Sequence, residues 1–346
     1  MTGETMTPTT DDAAAWLTLD GAPPIPGLRF RRARFADDDF AVLAAITAVS
    51  NEADEIPYRP SADNLREDFD DLSRSDPAKD VVIAEVDGVP VADAGLDRVV
   101  RAGVAVYQVW GHVDPAWRRR GLGRALLQEN LRRARERGDE ESDGGPFEAR
   151  AYVDERELGH LRLVRDAGFE PIRWFFTMRR PTLDDIPDTP LPDGLQLRPI
   201  TPDLHRRIWE ADNEAFRDHW QAREPEESDF TSLFAKADLD TSLWAVAWDG
   251  DDIAGVVQPW IWKDENREFG VQRGWIEHIS VRRPWRRQGL GRALTAEGLR
   301  RLHAAGMTEA MLGVDAENPT GALGVYERLG FAVHQRTTAY TLRFER

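Results

Sequence analysis

The chain has 346 residues, of which 41% are hydrophobic, enough for two globular domains of ordinary size with a core each. A formal net charge of −17 disfavours general binding to nucleic acid or to anionic membranes and suits solubility. The absence of cysteine excludes disulfides, thiolate metal sites and cysteine nucleophiles, and the seven histidines lack H-E-x-x-H or similar spacing, so no metal is expected.

Residues 1–26 are polar and rich in Thr, Pro and Asp, without a basic segment followed by an apolar run. They read as a flexible lead and not as a signal peptide. A strand over Leu28–Arg32 precedes a helical stretch from Asp37 that carries Val42, Leu43, Ile46 and Val49, and a second short helix is expected over 64–72. Two apolar runs, Val81–Val86 and 89–95, flank Asp87-Gly88 and predict a hairpin. Val104–Val113 is the next strand. The helix after it keeps Leu122, Leu126, Leu127 and Leu131 on one face and is expected to close at Gly138, with a polar surface loop up to Gly145. A strand over 147–153, a helix ending at Gly168-Phe169 and a strand over 172–178 complete the first half. Residues 181–193 are punctuated by proline and read as a linker. The second half repeats the order: strands over 195–199 and 244–248, then a strand ending at Val281, a fifth strand over 311–314, a helix from Asn318-Pro319 to Gly330-Phe331, and a terminal strand over 340–344. No stretch is apolar for long enough to span a membrane, and a cytoplasmic location is expected.

The most informative segment joins the strand ending at Val281 to a helix through Arg286-x-x-Gly289-x-Gly291. Glycine at alternate positions lets the backbone approach a ligand closely. The free N–H groups of a helix start then form an anion site, to which Arg286, Arg287 and Arg292 add charge. The pattern lacks the Lys-Ser/Thr ending of a nucleotide P-loop. The first half carries a second copy, Val113 followed by Arg118-Arg119-Arg120-Gly121-x-Gly123-Arg124. Self-similarity at this separation indicates duplicated domains.

The two copies resemble the GNAT acetyltransferases, whose pattern V-x-P-x-x-R-x-x-G-x-G/A follows the fourth strand. Val113, Pro115, Arg118, Gly121 and Gly123 match it in full. Val281, Arg286, Gly289 and Gly291 match in the second copy, where Arg283 stands in place of Pro. The resemblance covers nearly the whole chain. It implies an α/β (α+β) fold of two tandem domains, 27–180 and 194–346, each a mixed, mostly antiparallel twisted sheet flanked by helices. It implies acetyl-coenzyme A as co-substrate, its pyrophosphate on the amides of Gln288, Gly289, Leu290 and Gly291 and its acetyl and pantetheine groups on the strand amides near Ile279 and Val281. It also points to a Tyr as general acid, in a segment after the fifth strand that carries Asn, Ala, Tyr and then Gly-Phe. Asn318, Ala322, Tyr326 and Gly330-Phe331 fit that segment, whereas alignment of Gly168-Phe169 with Gly330-Phe331 sets Val164 opposite Tyr326.

A thiolate leaving group, with a pKa of roughly 8.5, gains from a phenol held against the sulfur. An attacking amine must be neutral and needs a base. Glu277 stands four residues before Val281, and its counterpart is Val109. Glu277 is therefore the expected base, with His278 as the neighbouring alternative, because a bulge would change which of the two faces the cleft. Asn318 suits either helix capping or ligand contact. Glu214, Asp218 and His219 lie in the region that shapes acceptor pockets in this family, and Trp260 and Trp262 serve as pocket wall or core.

The expectation is an N-acetyltransferase, monomer or homodimer, acting on a small-molecule primary amine. Chemistry is placed in the second domain, and the first is a degenerate copy with an intact cradle. Two alternatives stay open: a narrower acceptor, a cysteinyl pseudo-disaccharide, and a non-catalytic acyl-coenzyme A-binding module.

Overall fold

The computed structural model describes residues 16–34, 39–71, 76–101, 103–141, 145–236, 238–318 and 321–344. The chain divides into two compact units, an N-terminal unit of Met1–Pro171 with Tyr340–Arg346 and a C-terminal unit of Ile172–Ala339.

In the N-terminal unit, β1 (Trp16–Leu17), β2 (Leu28–Arg32), β3 (Val81–Val86), β4 (Val89–Arg101), β5 (Val104–Val113) and β6 (Phe147–Asp154) lie side by side in that order. All neighbours are antiparallel except β5 and β6, which are parallel. Helices α1 (Asp39–Ala53), α2 (Ala62–Asp71), α3 (Pro77–Asp80), α4 (Leu122–Glu141) and α5 (Leu158–Asp166) complete the unit. The β3–β4 turn places Asp87 and Gly88 at φ 51° and 81°, the left-handed pair that an Asp-Gly hairpin requires. The segment before Leu28 is not a free lead over its described length: Trp16 and Leu17 pair with Arg31 and Phe30, and Leu19 is buried. Helix α4 runs through Gly138 to Glu141, beyond the expected stop. Glycine is needed there because a Cβ would meet the Phe147 ring at 2.3 Å. Residues 142–144 of the expected loop lie outside the described residues.

The C-terminal unit contains β7 (Glu170–Arg180) from Ile172 onward, β8 (Gln196–Leu197), α6 (His205–Phe216), α7 (Glu227–Ala235), β9 (Ala245–Asp249), β10 (Asp252–Trp260), α8 (Lys263–Phe269), β11 (Arg273–Val281), α9 (Leu290–Ala304), β12 (Glu309–Asp315), α10 (Ala322–Arg328) and β13 (Ala332–Arg343) up to Ala339. Its strands run β7-β12-β11-β10-β9-β8. Here too the neighbours are antiparallel except β11 and β12.

These boundaries differ from those expected at 180 and 194. Strand β7 pairs with β12 from Ala310↔Arg180 to Asp315↔Phe175, and its Met178 is fully buried in the core of the C-terminal unit. The proline-rich stretch after it is packed, not free, because Leu183 is buried and Ile186 and Leu191 lie against the same core. In return, Tyr340 sits in the apolar cluster of the N-terminal unit and Thr341 Oγ1 donates to the Ala149 carbonyl at 3.3 Å. Residues 172–180 of β7 therefore belong to the C-terminal unit, and residues 340–343 of β13 belong to the N-terminal one. Removal of the Tyr340 ring (Tyr340→Ala) is expected to cost about 3 kcal/mol. Hydrogen exchange read by mass spectrometry should locate the lost protection in β6, although the substitution lies near the C-terminus of the chain.

Candidate active site

The site in each unit begins where two parallel strands part. In the C-terminal unit β11 and β12 pair from Arg273↔Glu309 to Ile276↔Leu312 and no further. Beyond Ile276, the edge of β11 that faced β12 has no strand among the described residues to satisfy its N–H and C=O groups, and these become available to a ligand. Glu277 is the first residue past the parting. The N-terminal unit repeats the geometry, with pairing of β5 and β6 ending at Gln108↔Arg150 and Val109 next.

The two partings differ at one backbone feature. On the far side of β11 the register with β10 runs Gln258↔His278 and then Pro259↔Ile276, so Glu277 is the extra residue of a bulge. The cause is Pro259, which has no N–H to give to the ladder. The corresponding pairs in the N-terminal unit, Gly95↔Trp110 and Leu96↔Val109, are unbroken. The bulge breaks the alternation of side chains, and Glu277 and His278 are both exposed although consecutive on one strand.

Glu277 Oε1 accepts the indole N–H of Trp262 at 2.8 Å, and Trp262 stacks on the buried Trp260 with centroids 4.9 Å apart. Protein surrounds the carboxyl on its inner sides. The resulting loss of hydration raises its pKa, against the opposing pull of the Trp262 hydrogen bond and of His278. His278 Nδ1 lies 2.7 Å from Oδ2 of Asp212, a buried residue of α6, and its ring lies 5.0 Å from that of Phe216. Burial opposes charge on the ring, but the Asp212 carboxylate outweighs it, so His278 titrates above the ordinary imidazole value.

Tyr326 lies on α10 in the apolar cluster that includes Leu290 and is packed by Ile279 and Val281. Its burial pushes the phenol up to about 12. The Phe331 N–H donates to the Tyr326 carbonyl at 3.1 Å, and the Phe169 N–H donates to the Val164 carbonyl at 3.1 Å. The match confirms that Val164, fully buried, occupies the place of Tyr326 in the N-terminal unit.

The two glycine turns share one backbone shape. Arg287 (φ 62°) and Gly289 (φ 89°), like Arg119 (φ 63°) and Gly121 (φ 97°), adopt left-handed conformations just before α9 and α4. Alternation of this kind turns successive N–H groups toward one point, a nest for an anion. Leu290 is buried, which anchors the helix start, while Arg287, Gln288 and Arg292 are exposed on one cradle and Arg119, Arg120 and Arg124 on the other. A cavity of about 460 Å³ adjoins the N-terminal cradle, lined among others by Gly111, Val113, Arg119, Gly121 and Arg124.

The motif arginines themselves have another task. Arg286 donates to the carbonyls of Val281 (2.9 Å) and Ala215 (3.0 Å) and to Asp218 (2.6 Å). Arg118 donates to the carbonyls of Val113 (3.1 Å) and Ser50 (3.0 Å) and to Asp54 (2.7 Å). Each clamps the end of a strand, the glycine turn and the first helix together. Asp218 also pairs with Arg283, and the two guanidiniums hold its pKa well below the carboxylate range. Glu214 pairs with Arg282 at 2.8 Å. These two carboxylates, expected to read the acceptor, are engaged in fixing α6 to the turn. His219 packs on Phe216 at 4.3 Å, and burial lowers its pKa. Asn318 is not the cap of α10. Gly321 (φ 71°) is, and Asn318 belongs to the turn before it, accepting from the Gly321 N–H at 3.3 Å. Pro319 lies outside the described residues.

The sequence reading missed Asp212, whose partner His278 is distant in the chain. It also missed Asp54 and the pairing of Asp218 with Arg286, for which a signal exists: each motif arginine has an aspartate at a similar distance upstream, Asp54 before Arg118 and Asp218 before Arg286.

The model of the Acetyltransferase (GNAT) family matches residues 44–142 and again 205–331. The chain belongs to this family. It is 34% identical over 262 residues to the mycothiol acetyltransferase of Salinispora arenicola (strain CNS-205), covering 74% of this chain and 79% of that protein. It is 30% identical over 300 residues to the mycothiol acetyltransferase of Geodermatophilus obscurus, covering 85% and 91%. The crystal structure of a GCN5-related N-acetyltransferase from Sphaerobacter thermophilus superposes with a TM-score of 0.70 at 28% identity, covering 91% of this chain and 95% of that one. The protein is thus an acetyltransferase with two GNAT domains, and acetyl-coenzyme A is the co-substrate general to its family. Among the described residues, no helix is long and apolar enough to cross a membrane.

The Trp262 hydrogen bond favours the ionised form of Glu277. Trp262→Phe should therefore move the carboxyl titration, followed by carbon-detected NMR, to still higher pH. A downward shift or none would show that the indole does not govern this group.

Proposed function

We propose that the protein transfers an acetyl group from acetyl-coenzyme A to a primary amine of a small molecule, and that the chemistry takes place in the C-terminal unit. The observation that carries this reading is the asymmetry between two otherwise matching sites. Glu277 and Tyr326 stand where the N-terminal unit has Val109 and Val164, and a valine neither accepts nor donates a proton. The N-terminal unit keeps its glycine cradle and is assigned a supporting or cofactor-holding part.

Acetyl-coenzyme A supplies the thioester carbon that the amine attacks. The amides at Gln288, Gly289, Leu290 and Gly291 hold its pyrophosphate, with the exposed Arg287 and Arg292 nearby. The free edge of β11 near Ile279 and Val281 orients the pantetheine arm and the carbonyl. Glu277 takes a proton from the attacking nitrogen, and its raised pKa brings it closer to that of an amine than an ordinary carboxylate would be. Tyr326, with its phenol at about 12, stays protonated at neutral pH and offers its O–H to the sulfur. A thiol of ordinary pKa, ~8.5, is the stronger acid of the two, so the phenol yields its proton only as charge collects on a sulfur dehydrated by the apolar cluster around Tyr326.

The names of the mycothiol acetyltransferases favour a narrower version of the same reading, in which the amine belongs to a cysteinyl pseudo-disaccharide. Fold and cradle do not choose an acceptor, and a side-by-side assay of that compound and simple amino sugars does.

Tyr326→Phe is expected to lower kcat by a factor of ~10² or more while leaving the Kd for acetyl-coenzyme A, measured by calorimetry, nearly unchanged. Full turnover in this variant would remove Tyr326 from the mechanism.

A further inference from the structure

The acceptor arrives with more protons than one carboxylate handles. A primary amine at neutral pH is mostly ammonium, since ordinary amine pKa values are ~8–10. It loses one proton before its lone pair can attack and a second as the C–N bond forms. Glu277 holds one proton at a time.

A second proton-accepting group stands beside it. His278 follows Glu277 directly, and the Pro259 bulge leaves both exposed at the parting of β11 from β12. Its side chain is 49% exposed while that of Asp212 is 5% exposed, and the two meet at 2.7 Å through Nδ1 and Oδ2. The other oxygen of Asp212, Oδ1, is buried with no hydrogen-bond partner among the described residues. A buried carboxylate left half satisfied calls for a reason beyond packing. The N-terminal unit has no such pair at the corresponding positions; its own histidine–carboxylate pair, His112 with the buried Asp93 at 2.9 Å, lies two residues farther along β5. Counting back from Val281 and Val113 sets Trp110 at the place of His278. The clamp bonds from Arg286 to the Ala215 carbonyl and from Arg118 to the Ser50 carbonyl set Thr47 at the place of Asp212.

We propose that His278, oriented by Asp212, is the base that converts the incoming ammonium to the attacking amine, and that Glu277 takes the proton released as the C–N bond forms. This assignment rests on the acetyl-transfer reading above. Asp212 accepts the Nδ1–H, which leaves the lone pair on Nε2. Nε2 takes the first proton and passes it to water across the exposed face of the ring. The nitrogen then bonds to the acetyl carbon, the C–S bond breaks, Glu277 takes the second proton, and the sulfur takes one from Tyr326. Return of the Glu277 proton to Tyr326 through solvent restores the site. The sum is ammonium plus thioester giving amide, thiol and one proton to solvent. The surroundings of His278 are consistent with a group that changes charge. Asp212 faces it from α6, His219 from the segment after α6, Glu277 from its own strand, and the neutral Gln258 stands opposite on β10.

The rival account makes the pair a staple of α6 to β11, and the pH dependence separates the two. Amino sugars, polyamines and amino-acid amides are screened with acetyl-coenzyme A, and the best acceptor serves as probe. The pH profile of kcat/KM is then measured for wild type, Asp212→Asn and His278→Gln. Loss of the carboxylate lowers the pKa of His278, so in Asp212→Asn the acid limb moves to lower pH, by about one unit. His278→Gln lowers kcat/KM by ~10² and abolishes that limb, with the Kd for acetyl-coenzyme A unchanged in both variants. A limb that stays in place in Asp212→Asn while thermal stability falls overturns the proposal and leaves the acetyl-transfer reading intact. If wild type turns over none of the amines, that reading fails and the proposal fails with it.

Discussion

A parallel strand pair that holds together for four residues and then separates puts a row of backbone donors and acceptors in the middle of a sheet with no partner of their own. Everything distinctive about the C-terminal unit is arranged around that defect. A β-sheet tolerates such a gap only if the flanking elements hold it open and a ligand can fill it. The bulge at Glu277 on one side, the apolar cluster around Tyr326 on the other, and the glycine turn at the far end are the three sides of the same opening. The acetyl-transfer reading follows from what these sides offer: amides for a pyrophosphate, a free strand edge for an extended chain, and ionisable groups at the point of parting.

The arginine clamp explains how an opening of this kind keeps its shape. Arg286 ties the last carbonyl of β11 to the end of α6, and Arg118 makes the corresponding ties from β5 to α1. Charge-assisted bonds to Asp218 and Asp54 add direction that neutral bonds lack. The motif arginine is therefore an internal strut, and the arginines beside it, Arg287 and Arg292 in one cradle and Arg119, Arg120 and Arg124 in the other, are the exposed ones. The N-terminal unit keeps strut and cradle, and valine stands at the positions of Glu277 and Tyr326.

Much of the architecture was legible because it is local. The Asp87-Gly88 hairpin, the paired cradles and the Val164-for-Tyr326 exchange each announce themselves within a few residues. What escaped was set by distant contacts. Nothing near Tyr340 says that it packs on β6, and nothing near Met178 says that it joins the core of the following unit, because strand exchange depends on a partner elsewhere in the chain. Nothing near Glu214 and Asp218 says that Arg282, Arg283 and Arg286 pair with them. Pro259 was a usable sign of the bulge, since a proline inside an otherwise buried strand demands an irregularity.

The central claim is that acetyl transfer belongs to the C-terminal unit. Its most direct test blocks each cradle in turn and measures thiol release from acetyl-coenzyme A in the presence of the best amine acceptor. Glutamate at Gly289 and Gly291 should abolish turnover, because the side chain and its charge fill the anion nest, while glutamate at Gly121 and Gly123 should leave most of it. Turnover that survives the first pair of substitutions and is lost with the second would contradict the assignment.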